Sequence, residues 1–233
     1  MNTDVVIDSI NGQMDSIARL MSLIFVINVV PIYAVFSGHS EVQWGPLKVS
    51  IKHVARLILF LNIVLIGGVL IAMVRLAGLL DHLPPGSDAA VKGVTTVVSH
   101  PSILNPYVFS GDQNLLLVVV DYLTIFGFWC LIFFTLMASA YTMKVEGLLA
   151  RWNWRLAYSV LPGIVLIPLF FANASVFTAI NDLNTERSDE LFRFMIRYLF
   201  SPVYASLIGL AIVYLFVPRT RMTGSPDKDK GQA

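Results

Sequence analysis

Long apolar runs alternate with short polar connections along this chain, and five of the runs approach the length of a membrane span. A bilayer core of about 30 Å takes roughly 20 apolar residues in a helix. The first run covers residues 17–36 and is interrupted by Asn28 and Pro31. The second, 54–80, carries Arg56 and Arg75 near its ends, and the third, 115–143, is the most apolar. The fourth, 157–180, contains Pro162, Pro168 and Asn173. The fifth, 194–217, begins beside Arg197 and meets Pro202 soon after. Backbone polar groups cannot stay unpaired in lipid, so runs of this kind are predicted to be helices. The first and fourth are the most exposed to interruption, because proline removes a rung of the helical hydrogen-bond ladder.

The connections carry patterns of their own. Val5, Ile10, Met14 and Ile17 recur near helical spacing, which predicts an amphipathic helix leading into the first span. Val42 and Trp44, then Val49 and Ile51, alternate with polar neighbours around Gly45-Pro46, the pattern of a small β-hairpin. Residues 81–114 form the longest connection, too long to be a structureless tether in a compact protein. Val94, Val97, Val98, Ile103, Leu104, Tyr107 and Phe109 make it apolar enough to order as a cap, with a short helix after Pro84-Pro85-Gly86-Ser87. Such a cap packs on its own spans or forms a contact between subunits. Ser188, Asp189 and Glu190 read as a helix start, with acids at the positive end of the macrodipole.

Composition sharpens this picture. Apolar residues make up 56% of the chain and charged ones 13%, about half the charge of a typical soluble domain. The formal net charge of +1 leaves no strongly basic face for nucleic acid. Where the few charges sit matters more. Lys48, Lys52 and Arg56 mark the first connection, Lys144, Arg151 and Arg155 the third, and Arg219, Arg221, Lys228 and Lys230 the tail. Asp4, Asp8 and Asp15 precede the first span, and Asp182, Glu186, Asp189 and Glu190 precede the fifth. Basic residues favour the cytoplasmic side. The expected topology is therefore five spans within 1–218, the N-terminus outside, and a polar cytoplasmic tail over 219–233. The hairpin would be cytoplasmic and the cap extracytoplasmic. The first sixteen residues contain no lysine or arginine, which argues against a cleaved signal peptide.

Candidate chemistry is sparse. No phosphate-loop, dinucleotide, zinc-protease or paired-cysteine motif is present, and Cys130 is the sole cysteine, set in an apolar run. His39, His53, His82 and His100 all lie in connections or at span edges, where they do not supply the paired ligands of a haem between helices. No catalytic residue, metal ligand or cofactor site is assigned. The sharpest feature is Asp121, a carboxylate inside the third span, since such groups are costly in lipid and are usually paired or functional. With Arg75 and Arg197 expected on the same side, three readings stand: an ion pair locking three helices, an ion or proton path, or a place at the wet rim. Asn28, Asn62 and Asn173 read as interhelical hydrogen-bonding groups, and Gly67-Gly68 as a close-packing site. Trp44, Lys48, Lys52, Arg151, Trp152, Trp154 and Arg155 mark a basic, aromatic cytoplasmic edge suited to lipid headgroups or a protein partner.

One arrangement extends beyond single residues. Two spans flank VQWGPLKVSI, followed by LDHLPPG, a connection ending in HPSILNPYVF, and an aromatic third span. Over roughly residues 20–155 this resembles the membrane portion of bacterial multi-spanning proteins that carry pentapeptide repeats. No such repeat occurs in this chain, and a fifth span and short tail stand where it would be. The resemblance implies a bacterial inner-membrane module that works with other parts, and it transfers no functional residue. The expectation is an all-α transmembrane bundle, a non-enzymatic subunit or sensor that forms a homo-oligomer and recruits a soluble partner at its cytoplasmic face. A stress or phage-defence assembly would suit such a module by analogy. The alternatives are an oligomeric channel or a small transporter.

Overall fold

The computed structural model describes residues 3–36, 41–44, 47–109, 115–145, 148–149, 151, 153–183 and 200–216. Among these residues six helices dominate: α1 (Thr3–Phe36), α2 (Ile51–Leu80), α3 (Asp88–Val98), α4 (Leu115–Val145), α5 (Trp154–Leu183) and α6 (Ser201–Phe216). Strands β1 (Glu41–Trp44) and β2 (Leu47–Ser50) pair antiparallel between α1 and α2, with Val42 opposite Val49 and Trp44 opposite Leu47. Ile51 opens α2 and does not extend the strand.

Among the described residues, three helices are long and apolar enough to cross a membrane, over Arg56–Leu80, Leu115–Tyr141 and Ile164–Leu183. Their outward faces carry Phe60, Ile63 and Val74 on α2, Leu116 and Leu123 on α4, and Ile164 and Phe171 on α5, all exposed. Soluble monomers rarely show apolar patches beyond a few hundred Å², so hydrocarbon is the natural medium for this belt. The expected first and fifth spans are not among these three. The first lies within α1, and the start of the fifth, with Arg197 and the Ser188 helix start, lies outside the described residues.

The prolines do not divide the helices. α5 runs unbroken through Pro162 and Pro168, and α1 through Pro31. Packing of neighbouring helices compensates for a missing rung in a way that an isolated segment cannot. α1 is a single helix of 34 residues, about 50 Å long at 1.5 Å per residue. Its inward face is Val6, Ile10, Met14, Ile17, Met21 and Ile24, while Val5 points outward. The sequence periodicity is thus correct in spacing and one residue off in phase at its start.

Antiparallel contacts set the bundle. Leu20 of α1 lies against Gly68 of α2, and Asn28 bonds Asn62 about two turns along. α4 returns alongside α2, where Asn62 reaches Ser139. α6 packs on α4 so closely that a side chain on Gly209 would overlap the Phe133 ring. Phe128, Trp129, Phe133 and Phe177 fill the centre. At the far end of α2 the chain turns through Gly86, at φ 71°, into α3. Ser87 caps α3 by accepting from the Ala90 amide at 3.2 Å, with Asp88 in the first turn.

Candidate functional site

Two ends and a middle of the bundle hold the polar side chains. At one end α3 and the segment after it fold over α1 and α5. Ala90, Val94 and Val97 are buried, and Gly93 faces Leu83 and Ile10. Asn105 holds the following segment together: its Nδ2 donates to the Val97 carbonyl at 2.9 Å, and its Oδ1 accepts the Tyr107 amide at 2.9 Å. Asn-Pro at 105–106 is a turn-initiating pair, so the sequence held a signal for this knot. Tyr107 is fully buried, edge-on to Phe177 at 5.4 Å, and burial pushes its phenol far above the ordinary range. Its hydroxyl has no hydrogen-bond partner among the described residues. His100 is buried with Nε2 3.3 Å from the half-exposed carboxylate of Asp15, tying this cap to α1. Ile103, by contrast, is 87% exposed.

The middle carries the amides. Asn28 and Asn62 exchange hydrogen bonds, Nδ2 of each donating to Oδ1 of the other at 2.9 and 3.1 Å. Asn28 also donates to the Ile24 carbonyl at 2.7 Å, and Asn62 to Ser139 Oγ at 3.1 Å, which donates onward to the Thr135 carbonyl at 3.0 Å. Three helices are thereby clasped by groups that hydrocarbon cannot solvate. Asn173 on α5 is equally buried, yet neither of its amide atoms has a partner among the described residues. The glycine pair divides as well: Gly68 takes Leu20, whereas Gly67 faces open space.

Comparison of the chain with family models, curated proteins and solved structures gives no match.

Asp121 lies seven residues into α4 and is buried, at 8% exposure. Arg75 is exposed on α2 and forms no ion pair among the described residues, while Arg197 lies outside them. Leu59, Met143 and Ile164 border one pocket, so the first half of α2, the last turn of α4 and the first half of α5 run side by side. The strand pair carrying Trp44 and Lys48, the first turn of α2 with Lys52, and the α4–α5 turn with Arg151 therefore lie toward the same end of the bundle, away from the cap. Arg151 is exposed. Trp154 and Arg155 open α5, their side chains outside the description, as is Trp152 altogether. Lys144 donates to the Leu149 carbonyl at 2.9 Å, and Asn153 Oδ1 accepts the Leu156 amide at 2.7 Å, capping α5.

Proposed function

We propose that this chain is a non-enzymatic subunit or sensor of a bacterial inner membrane that forms a homo-oligomer and recruits a soluble partner at its basic end. It crosses the bilayer five times, with the cap outside and the hairpin, the α4–α5 turn and the tail in the cytoplasm. The observation that carries this reading is the segregation along the bundle axis. The residues bearing Lys48, Lys52, Lys144, Arg151 and Arg155 gather at one end, the cap with Asp15 and Asp88 closes the other, and an apolar belt lies between. Lysine and arginine are retained on the cytoplasmic side, and a basic edge there suits an acidic surface or anionic headgroups. The likeness to the membrane portion of pentapeptide-repeat proteins agrees with a module that acts through other parts. Buried aromatic side chains fill the centre of the single chain, so a conducting path would have to run between copies.

A reporter fused after Ala233 should read as cytoplasmic and one inserted at Ser87 as external; agreement between the two would overturn the topology. Native mass spectrometry in mild detergent should show a homo-oligomer, and monomer alone at micromolar concentration would refute it. A photo-crosslinker at Arg151 in native membranes should yield an adduct with a soluble polypeptide, while one at Val91 in the cap should not. Ion flux through liposomes by the purified chain alone would replace the subunit reading with a channel.

A further inference from the structure

A pocket of about 280 Å³ opens between α2, α4 and α5. Leu59, Ile66 and Leu70 of α2, Leu136 of α4, and Val165 and Leu169 of α5 form its walls. Ile63 and Ile164, each 61% exposed, stand at its mouth. Both belong to stretches long and apolar enough to span a membrane, so the medium outside the mouth is hydrocarbon. Apart from Ser139, whose hydroxyl is engaged with Asn62 and the Thr135 carbonyl, the lining is apolar, and an unfilled space of this kind forfeits the dispersion contacts of its walls.

The mouth also holds a polar atom. Pro168 lines the pocket and has no N–H, so the Ile164 carbonyl, four residues earlier, lacks its helical donor. Helix carbonyls point toward the residue four positions on, which places this oxygen beside Pro168 on the pocket wall. An acceptor left so in lipid is costly until a donor reaches it. The pocket is oriented as well. Leu59 is the ninth residue of Ile51–Leu80 and Ile164 the eleventh of Trp154–Leu183, so the pocket begins in the half of both helices nearer the hairpin. From there the walls run inward to Leu70 and Leu169. Leu59 and Leu70 stand about 16 Å apart along α2, from the 1.5 Å helical rise.

We propose that this pocket binds a single-chain amphiphile drawn from the bilayer, a medium-length hydrocarbon chain whose terminal hydroxyl donates to the Ile164 carbonyl. The chain replaces the missing packing and the hydroxyl replaces the missing backbone donor. This site does not depend on the number of spans or on the partner proposed above.

Gly67 provides the test, because it lines the pocket and a Cβ built there meets nothing within 4 Å. Gly67→Leu therefore starts from an unhindered Cβ and adds its bulk at the pocket wall. The full chain in nanodiscs is irradiated with dodecanol carrying a diazirine near its chain end. Labelling should concentrate on peptides containing Leu70, Leu136 and Leu169, and should fall by about ten-fold or more in Gly67→Leu while thermal stability is held or raised. Gly127→Leu, which fills a separate groove between α1 and α4, should label as the wild type does. Unlabelled dodecanol should compete on the wild-type chain and dodecane should not. Wild-type labelling of a folded Gly67→Leu, or label spread evenly over the lipid-facing Val74 and Val203, would overturn the site. Equal competition by the alkane would overturn the hydroxyl contact. The competition uses only the wild-type chain, so it decides the matter even if Gly67→Leu fails to fold.

Discussion

Replacing Asn62 by alanine tests whether the amide clasp holds the bundle. The substitution deletes two reciprocal bonds with Asn28, at 2.9 and 3.1 Å, and a third to Ser139 at 3.1 Å. Interhelical hydrogen bonds in membranes average about 0.6 kcal/mol each, so the three together amount to about 1.8 kcal/mol. The change also strands the Asn28 carbonyl oxygen, whose Nδ2 keeps its bond to Ile24. An unsatisfied buried acceptor costs about 1–3 kcal/mol, and the better helix propensity of alanine returns about 0.7 kcal/mol at most. The net expectation is a loss of about 3 kcal/mol, or roughly 6–12 °C in Tm for a chain of this size. Tryptophan fluorescence on heating in mild detergent reads it directly. In a double-mutant cycle, Asn28→Ala removes the stranded oxygen, so the pair should cost less than the sum of the singles by about 1–2 kcal/mol. Singles within about 0.5 kcal/mol of wild type, or strict additivity, would refute a direct Asn28–Asn62 clasp.

Tyr107→Phe removes a buried hydroxyl with no partner among the described residues while keeping the ring on Phe177, so stability should hold or rise; Tyr107→Ala should cost about 3–5 kcal/mol. A clear loss in the phenylalanine variant, measured by the same melting curve, would mean that the hydroxyl is satisfied. Gly209→Ala should destabilise by about 1–3 kcal/mol, because the new methyl overlaps the Phe133 ring and drives α6 from α4, whereas Gly78→Ala, which meets open space, should be neutral or stabilising in the same assay. For Asp121, pairing with Arg197 predicts that Asp121→Asn lowers Tm and that adding Arg197→Met restores part of the loss, since breaking a buried pair costs more than replacing both members. Arg75→Met, at an exposed position, should restore nothing. An Asp121→Asn variant as stable as wild type would dispose of the ion pair.

Local chemistry was enough to find the helices. Apolar runs of bilayer length produced the stretches at 56–80 and 115–141, and much of that at 164–183, because a backbone in lipid has few other ways to satisfy its hydrogen bonds. Gly86-Ser87-Asp88 likewise carries the start of α3 in its own residue types, a left-handed glycine, a capping hydroxyl and a first-turn acid. What the sequence could not supply was direction. In a soluble helix the polar stripe marks the solvent face, but in α4 both the lipid-facing and core-facing residues are apolar, so no periodicity distinguishes Leu123 from Phe128. The same blindness hides which amide meets which: Asn28, Asn62 and Asn173 are alike in sequence, and only the antiparallel register of α1 and α2 brings the first two together. Register also separates adjacent glycines, sending Gly68 against Leu20 and Gly67 to an open pocket. It joins Asp15 to His100 across 85 residues. Residue type sets what each segment must satisfy, and the packing of helices against one another decides which neighbour satisfies it.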